Sequence, residues 1–595
     1  MPLTTRPIIA ASALLGAALL TAPAVLAPPI AHACGGLFCD ASNPVNQSAE
    51  RIIFVDNGDD TTTAAIQIMY EGPPDDFAWV LPVADIPNPD DDIRVSSNLA
   101  LDRLQQQTNP RYQLNRRVEG TCADNFDGPN SADDGFGGDG DSSGDGDGDG
   151  DGGGVIIEAS GAVGPFDYEL ISVRGGDNDV VDVATEWLAD NQYDLAGGED
   201  LLRPYLENGM KLLCVRLSSG NDAGSIRPLM VTYAGDTPSI PIRPTAVAAN
   251  DDMGIMAFVG GAARAIPKNY GLLELNDALI DWYNPNDTYN EVVIRAADEA
   301  MGHGFVTEYA AQSSDLSEVI VFSWEREDFQ SFQSQNFGSD SAMLDASLQW
   351  SEWDGFLDAI GASATLPAGT DATDIANCPA CYLDGADAEV IFDRNLFRTQ
   401  LYELVIRPMF DTDELVMAQA WMTRLYTTMS ADEMTEDPIF DFNPDMGEVD
   451  NLHQADLIIE CSPELQEFEA PFRVELPSGT TVRGTEQGVW PVELSSDQPA
   501  ALRISQASTS GDPTVLVDNV ETIEQALSVN GGGGGGDGGG ADGGTAADGE
   551  GTGGDASAGL CSCRAVGTGH DGSHGGALAL LALVGALGRL RRRPR

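Results

Sequence analysis

Lysine and arginine are scarce in this chain. Among its 595 residues, 30 are Lys or Arg and 95 are Asp or Glu, which gives a formal net charge of −65. Lys211 and Lys268 are the two lysines. Proteins that bind nucleic acid need clustered basic side chains against the phosphates, so we expect no nucleic-acid partner. The excess negative charge favours solubility and repels other anions.

Histidine is also scarce, which argues against several classes of enzyme. The chain has five histidines, of which His303 and His453 lie outside the two terminal segments. A catalytic triad needs a nucleophile, a base and an orienting group together. Outside the Gly/Asp-rich segment the chain has no G-x-S-x-G nucleophile motif. His303 stands between Gly302 and Gly304, and we interpret it as a turn residue, with a base or ligand as the alternative. We expect no catalytic residues.

The N-terminus has the three parts of an export signal. Arg6 precedes an apolar run from Ile8 to Leu26, and Ala31-His32-Ala33 stands directly before Cys34. This order predicts a signal peptide over residues 1–33, removed by an export signal peptidase between Ala33 and Cys34. Pro23 interrupts the apolar run and argues against a membrane-spanning helix. A lipoprotein acylated at Cys34 is the alternative.

The C-terminus has three parts of a different kind. A Gly/Asp tract over residues 530–559 leads to Cys561-Ser562-Cys563-Arg564, and an apolar run from Ala577 to Leu587 precedes a terminal cluster of arginines. The run is short for a membrane span, and the cluster suits the cytoplasmic side. This tail resembles the C-terminal sorting signal called MYXO-CTERM. The resemblance implies processing near Cys561 by a myxosortase-like enzyme and display on the cell surface, with membrane association through the tail.

A Gly/Asp-rich segment over residues 123–154 lacks the apolar residues needed to offset the entropy of ordering. We predict a disordered surface insert. Asp147, Asp149 and Asp151, followed by Glu158, match the spacing of an EF-hand calcium loop literally. An alternating Gly/Asp tract also matches this pattern by chance. The match makes calcium the candidate cofactor of this chain.

Seven cysteines lie outside the C-terminal tail, and an exported protein keeps cysteines mainly as disulfides. Proximity predicts a Cys34–Cys39 pair and a Cys378–Cys381 pair. Cys122 with Cys214 would then close the two sides of the acidic insert, which leaves Cys461 over. The Cys378-Pro379-Ala380-Cys381 motif reads as a loop with a structural disulfide; a redox-active pair at the start of a helix is the alternative.

Hydrophobic periodicity predicts a mixture of strands and helices without strict alternation. We therefore predict an α+β fold in one or two globular domains. The predicted strands are Arg51–Asp56, Ala64–Tyr70, Phe77–Leu81, Tyr168–Val173, Leu212–Leu217, Leu229–Tyr233, Ile240–Ala248, Ile255–Val259 and further strands within Phe468–Val517. The predicted helices are Leu99–Gln107, Val180–Asn191, Tyr289–Met301, Ala342–Ile360 and Leu415–Tyr426. A capping box of Thr288 and Glu291 is predicted to start the helix at Tyr289.

Several runs of sequence resemble a family of secreted bacterial proteins, the domain of unknown function 2330. The runs are Ala33–Cys39, Pro44–Arg51, Phe77–Val83, Ile242–Ala249, Phe305–Tyr309 and Thr423–Ser430. The resemblance spans roughly Cys34 to His453. Because the family is uncharacterised, the resemblance implies no activity, cofactor or catalytic residue.

The predicted segments are a signal peptide (1–33), two parts of the family domain (34–122 and 155–460) around the insert (123–154), a strand-rich part (461–529), a Gly-rich linker (530–560) and the sorting tail (561–595). We expect an exported, cell-surface-anchored protein that acts as a non-catalytic envelope or interaction module. A surface thiol/disulfide redox protein and a calcium-dependent adhesin are the alternatives.

Overall fold

The described part of the chain begins with the hairpin that the sequence predicts. The computed structural model describes residues 46–71, 77–123, 154–176, 179–191, 193, 198–218, 226–247, 249–384, 390–494 and 497–530. In it, β1 (Asn46–Asp56) and β2 (Thr61–Glu71) pair antiparallel. Gly58 takes φ +75° in the turn, a conformation that favours glycine. The N–H of Asn57 donates to the carbonyl of Thr61 at 3.1 Å, which closes the turn.

The strands that follow have two to 13 residues and are spread along the chain. They are β3 (Ala78–Val83), β4 (Ile93–Val95), β5 (Arg111–Gly120), β6 (Gly154–Val163), β7 (Phe166–Arg174), β8 (Lys211–Leu217), β9 (Leu229–Ala234), β10 (Ala249–Gly261), β11 (Arg264–Pro267), β12 (Gly271–Leu275), β13 (Gly304–Gln312), β14 (Ala364–Thr365), β15 (Ile391–Phe392), β16 (Trp421–Met429), β17 (Phe440–Asn443), β18 (Leu452–Cys461), β19 (Phe472–Glu475), β20 (Thr481–Gly484), β21 (Ala501–Gln506) and β22 (Thr514–Asp518).

The helices concentrate in the second half of the chain. They are α1 (Pro89–Asp92), α2 (Asn98–Thr108), α3 (Val180–Asp190), α4 (Glu199–Glu207), α5 (Tyr289–Glu299), α6 (Ser323–Ser334), α7 (Asp340–Ser347), α8 (Phe356–Ser363), α9 (Ala372–Asn377), α10 (Pro379–Leu383), α11 (Arg394–Leu401), α12 (Arg407–Met417) and α13 (Val520–Asn530). Within the described ranges, none of them is long and apolar enough to cross a membrane.

A ten-stranded mixed sheet organises the fold, in the order β22-β21-β12-β13-β16-β10-β1-β2-β9-β4. At its centre, β1 pairs parallel with β10, and β10 pairs antiparallel with β16. Two four-stranded sheets have the orders β3-β8-β7-β6 and β20-β19-β18-β5. Strands and helices do not alternate along the chain, so the predicted α+β class is confirmed.

Because side chains alternate along β1, its two faces pack in two different apolar cores. Ile53 and Val55 join an apolar core built with α2 and the helices between residues 313 and 417. Ile52 and Phe54 join a second core shared with β3, β7 and β8 of the smaller sheet. α3 and α4 cover the other face of that smaller sheet. The space between the two sheets is therefore lined by the even-numbered residues of β1.

The disulfide that involves Cys122 differs from the prediction. Cys122 bonds to Cys461, 339 residues away, at the ends of β5 and β18, which pair parallel along their whole length. The predicted Cys122–Cys214 pair is wrong. Cys214 is a free, fully buried thiol on β8, packed in the core under α3 and α4. Spacing could not reveal the true partner, because it depends on a strand pairing between distant parts of the chain.

Two predicted helices are only partly correct. The predicted helix Leu415–Tyr426 ends in the structure at Met417, and its second half is β16. β16 lies between β10 and β13 in the sheet, so strand pairing overrides the helical pattern there. The predicted helix Ala342–Ile360 is divided into α7, a 3-10 turn at Leu348–Trp350 and α8. Gly355, at φ +82°, starts α8 in a new direction.

Two other local predictions are wrong in detail. Thr288 precedes α5 as predicted, but its side chain makes no cap hydrogen bond to that helix. Its hydroxyl instead accepts the N–H of Asp281 at 2.8 Å, seven residues upstream. The predicted strand Ile240–Ala248 contains a 3-10 helix, Pro244–Val247. Pro244 has no N–H to donate to a neighbouring strand. The segment therefore does not continue as a strand, although its apolar residues fit that pattern.

The helix from α11 to α12 contains one turn of π-helix, Tyr402–Ile406. Pro408 has no N–H to donate to the carbonyl of Leu404, so that carbonyl is free for another donor. Nη1 of the buried Arg227 donates to it at 2.7 Å, and Nη2 pairs with Asp358 at 2.8 Å. A Cβ on Gly355 would lie 2.5 Å from the same carbonyl oxygen, so the backbone approach requires glycine.

Candidate functional site

A cavity of about 440 Å³ lies between the β1–β2 hairpin and β3 of the smaller sheet. This volume is within the range of small-molecule sites. Its floor consists of Ile52, Phe54, Ala64, Ile66 and Trp79, none of them more than 6 % exposed. An apolar floor of this kind favours an apolar group over water.

One carboxyl group interrupts the apolar floor. Glu50 lies on β1 on the same face as Ile52, and its partners on the neighbouring strands are Ile68 and Ile255. Its side chain is buried, and Oε2 has no hydrogen-bond partner among the described residues. Burial raises the pKa of Glu50 from 4.5 to about 7. The buried group therefore tends to keep its proton, and a ligand with a hydrogen-bond donor or a positive charge would favour the carboxylate.

The wall on the α4 side holds a hydrogen-bonded carboxyl group. The hydroxyl of Tyr205 donates to Oδ1 of Asp437 at 2.7 Å, and the N–H of Ile242 donates to the same oxygen at 3.1 Å. Burial raises the pKa of Asp437, although these bonds and the charge of Arg243 lower it. Burial and the neighbouring Asp437 also raise the pKa of the Tyr205 phenol. The network fixes the chain segments that form this wall.

The rim of the cavity is exposed and acidic. Asn208, Asp236, Thr237 and Glu436 line the cavity and are exposed. Arg243, the one cationic side chain that lines the described cavity, has a buried Nε without a hydrogen-bond partner. With Glu50 and Asp437 counted, four carboxyl groups therefore line the cavity with one guanidinium group.

A family model matches residues 28–327 of the chain, half of its length. The family is described as an uncharacterized protein conserved in bacteria, the domain of unknown function 2330. The chain belongs to this family. No curated protein and no solved structure matches it. The family match ends before the Thr423–Ser430 run, and it does not include the C-terminal tail.

Most of the cavity is built by the matched DUF2330 region. Glu436, Asp437 and Ile439 are the lining residues that lie beyond residue 327. Three of the runs that carry the family resemblance meet at the cavity. The Pro44–Arg51 run supplies Glu50, the Phe77–Val83 run supplies the β3 side, and the Ile242–Ala249 run supplies Arg243 and its neighbours. The sequence contained this signal, but nothing in it showed that the runs meet.

A second cavity, of about 400 Å³, lies beside α5 and β13. Rings of Tyr112, Trp282 and Tyr289 line it, with Tyr112 and Trp282 edge to face at 4.9 Å. Its buried carboxylate, Glu308, pairs with Arg424 at 2.6 Å and accepts the hydroxyl of Tyr289 at 2.5 Å. Glu308 thus accepts one hydrogen bond through Oε1 and meets Arg424 through Oε2 as an ion pair without a hydrogen bond. The close pairing of charges indicates a structural network rather than an open binding group.

The two histidines outside the terminal segments, His303 and His453, lie in different parts of the described structure. His303 lies in the turn after α5, as predicted, and its Nε2 is 3.1 Å from the carbonyl of Glu433 and 3.1 Å from the hydroxyl of Thr435. His453 stacks on Tyr112 at 4.8 Å in the second cavity. Burial lowers the pKa of His453, which favours the neutral ring.

The predicted cysteine pair Cys378–Cys381 is bonded in the structure. Cys378 follows α9 and is the N-cap of α10, and Cys381 lies within α10, so the predicted loop is wrong. Asp371 starts α9 by accepting the N–H of Asp374 at 2.9 Å. The start of a helix is where the redox-active alternative places the first cysteine, whereas that alternative also needs a preceding strand and the structure has α9 there.

The remaining predicted site residues are only partly within the described structure. Glu158 lies on β6 and forms an ion pair with Lys211. Asp147, Asp149 and Asp151 lie outside the described residues, as do Ala33, Cys34, Cys39 and Cys561. Within the described ranges, no group of three or more His, Cys, Asp or Glu side chains could hold a metal ion. The calcium site and the Cys34–Cys39 pair stay predictions.

Proposed function

We propose that this DUF2330 protein is an exported, cell-surface module that binds a small, mainly apolar molecule in the cavity between β1–β2 and β3. The observation that supports the proposal is the combination of a buried apolar floor with one buried carboxyl group, Glu50, whose Oε2 has no hydrogen-bond partner among the described residues. Small-molecule sites have this composition: apolar walls with a few polar groups that fix orientation.

Filling the floor is the direct test of this binding role. Ala64 is 1 % exposed on β2, and a Phe side chain there would occupy part of the cavity. We expect wild-type protein to bind the neutral fluorophore N-phenyl-1-naphthylamine saturably at one site, and Ala64→Phe to weaken binding at least tenfold. Ala431→Phe, at an exposed position, is the control. Circular dichroism and thermal melting verify the fold of each variant.

Equal fluorophore binding by the wild type and Ala64→Phe would contradict the cavity as the binding site. Absence of saturable binding by the wild type would contradict the binding role itself. Displacement of the bound fluorophore then provides an assay for natural ligands in envelope extracts.

The proposed surface location rests on separate evidence and needs a separate experiment. The signal-like N-terminus and the three-part tail support export and anchoring, and the two disulfides are typical of proteins outside the reducing cytoplasm. Replacing Cys561 by serine should leave the tail uncleaved. Intact-mass measurement of protein recovered from the cell surface reports the cleavage. Identical masses after cleavage in the variant and the wild type would contradict processing at this cysteine.

The calcium-dependent and redox alternatives have less support. Glu158, the one predicted calcium ligand in the described structure, is already paired with Lys211. Asp371, Asp374 and Asp384 flank the Cys378–Cys381 pair in sequence, and negative charge near a thiol disfavours the thiolate that redox exchange needs.

A further inference from the structure

We propose that the ligand of the β1–β3 cavity carries a single cationic group, an ammonium or guanidinium, which pairs with Glu50 while its apolar body lies on the cavity floor. This inference rests on the proposed binding function and specifies its ligand class. It is carried by the position of Glu50, by the floor around it and by the charges at the rim.

Among the β1 side chains that the structure describes, Glu50 is the polar one that lines this cavity. Its cross-strand partners, Ile68 and Ile255, offer no hydrogen bond, and its Oε2 has no partner among the described residues. A carboxylate removed from water without a partner is costly, and pairing with a cation recovers much of that cost. An ammonium group can donate three hydrogen bonds and a guanidinium five, and either would satisfy the unpaired oxygen.

The charges around the cavity favour a cation as well. The ionisable groups that share the cavity with Glu50 are Tyr205 of α4, Tyr233 of β9, Asp236 and Arg243 of the segment after β9, and Glu436 and Asp437 of the segment before β17. Arg243 is the single positive charge in this set, and Asp437 offsets it. The rim carboxylates Asp236 and Glu436 and the net charge of −65 repel anions and attract cations.

A bare metal ion fits this cavity poorly. Calcium and magnesium take six or more oxygen ligands, and transition metals prefer several nitrogen or sulfur ligands. Around Glu50 the floor offers isoleucine, phenylalanine, alanine and tryptophan side chains. The donor set therefore matches one cationic group attached to an apolar body.

Three probes of equal chain length separate charge from apolar contact: octylammonium, 1-octanol and octanoate. Isothermal titration calorimetry with the full mature protein at pH 8 and low salt measures each affinity. We expect octylammonium to bind at least tenfold more tightly than 1-octanol, and octanoate to bind more weakly than both. Glu50→Gln should bring octylammonium and 1-octanol within about threefold of each other.

A variant outside the cavity is the matched control. Glu327→Gln removes a charge from an exposed position of α6 that does not line the cavity, and it should change octylammonium affinity by less than about threefold. A second measurement uses proton competition at Glu50. With its pKa at about 7, wild-type affinity for octylammonium should fall about tenfold from pH 8 to pH 6. Glu50→Gln should lose this pH dependence.

The outcomes separate this inference from the function on which it rests. Equal binding of octylammonium and 1-octanol by the wild type would overturn the cationic ligand class and leave the binding function in place. An octylammonium preference that survives Glu50→Gln would overturn the role of Glu50. Failure of all three probes to bind would overturn the binding function together with the inference.

Discussion

Replacing Glu50 by glutamine should stabilise the protein at neutral and alkaline pH. Burial raises the pKa of Glu50 from 4.5 to about 7 in the folded chain, whereas the unfolded chain exposes it to water. This difference in proton affinity corresponds to about 3 kcal/mol of folding free energy. Glutamine has nearly the same shape and no charge, so it removes the cost of ionising the buried group.

The direction of the pH dependence follows from proton binding. Between pH 4.5 and 7 the folded chain holds a proton at Glu50 that the unfolded chain releases. The contribution of Glu50 to stability is therefore fully present below pH 4.5, and it is lost as the pH rises through 7. The free energy of unfolding of Glu50→Gln minus that of the wild type should be near zero at pH 4.5 and about 3 kcal/mol at pH 8.

Urea unfolding followed by tryptophan fluorescence, repeated from pH 4.5 to pH 8, measures this difference. Other groups contribute equally to both proteins, so the subtraction isolates Glu50. Glu327→Gln, the same chemical change at an exposed position of α6, should show no comparable trend. A constant difference between wild type and Glu50→Gln across this range would refute the buried, unpaired carboxyl group, and with it the basis for the cationic ligand.

Three further predictions concern the fold. Replacing Cys122 and Cys461 by serine should lower the free energy of unfolding by up to about 6 kcal/mol in urea titrations, because their disulfide closes a loop across 339 residues. Removing the Cys378–Cys381 disulfide, which joins residues three apart, is the control. Gly355→Ala should lower the melting temperature more than Gly369→Ala, because both glycines have positive φ but only the first has a backbone carbonyl within 2.5 Å of the added Cβ. The expected loss for Gly355→Ala is about 1–3 kcal/mol. Burial raises the pKa of the Cys214 thiol, so this thiol should react with a thiol reagent only after unfolding. A fast reaction in the folded state would contradict its burial.

The most accurate predictions from the sequence concern elements that depend on residues close together in the chain. The β1–β2 hairpin, α2, α3 and α5 occur close to their predicted positions, because turn residues and apolar periodicity are short-range features. β16 shows the limit of this reasoning. Its residues have a pattern that fits a helix, and pairing with β10 and β13 on both sides makes them a strand.

The candidate site was less predictable than the fold class. Glu50 is one of 95 acidic residues, and nothing local distinguishes it. Its special property arises because three separate strands place Glu50, Ile68 and Ile255 side by side on one buried face. The scarcity of histidine argued against a catalytic triad, but it could not indicate where a ligand would bind.

The sequence by itself determined the α+β class, the family resemblance and the excess of negative charge, because composition and short-range patterns carry that information. The tertiary structure decided which cysteine bonds to Cys122, where the helix before β16 ends, and which carboxyl group is buried without a partner. Each of these depends on strand pairing between residues tens to hundreds of positions apart. Such pairings bring together residues that lie far apart in the sequence. They also place the runs that carry the family resemblance around one cavity, although the sequence shows these runs only as separate matches.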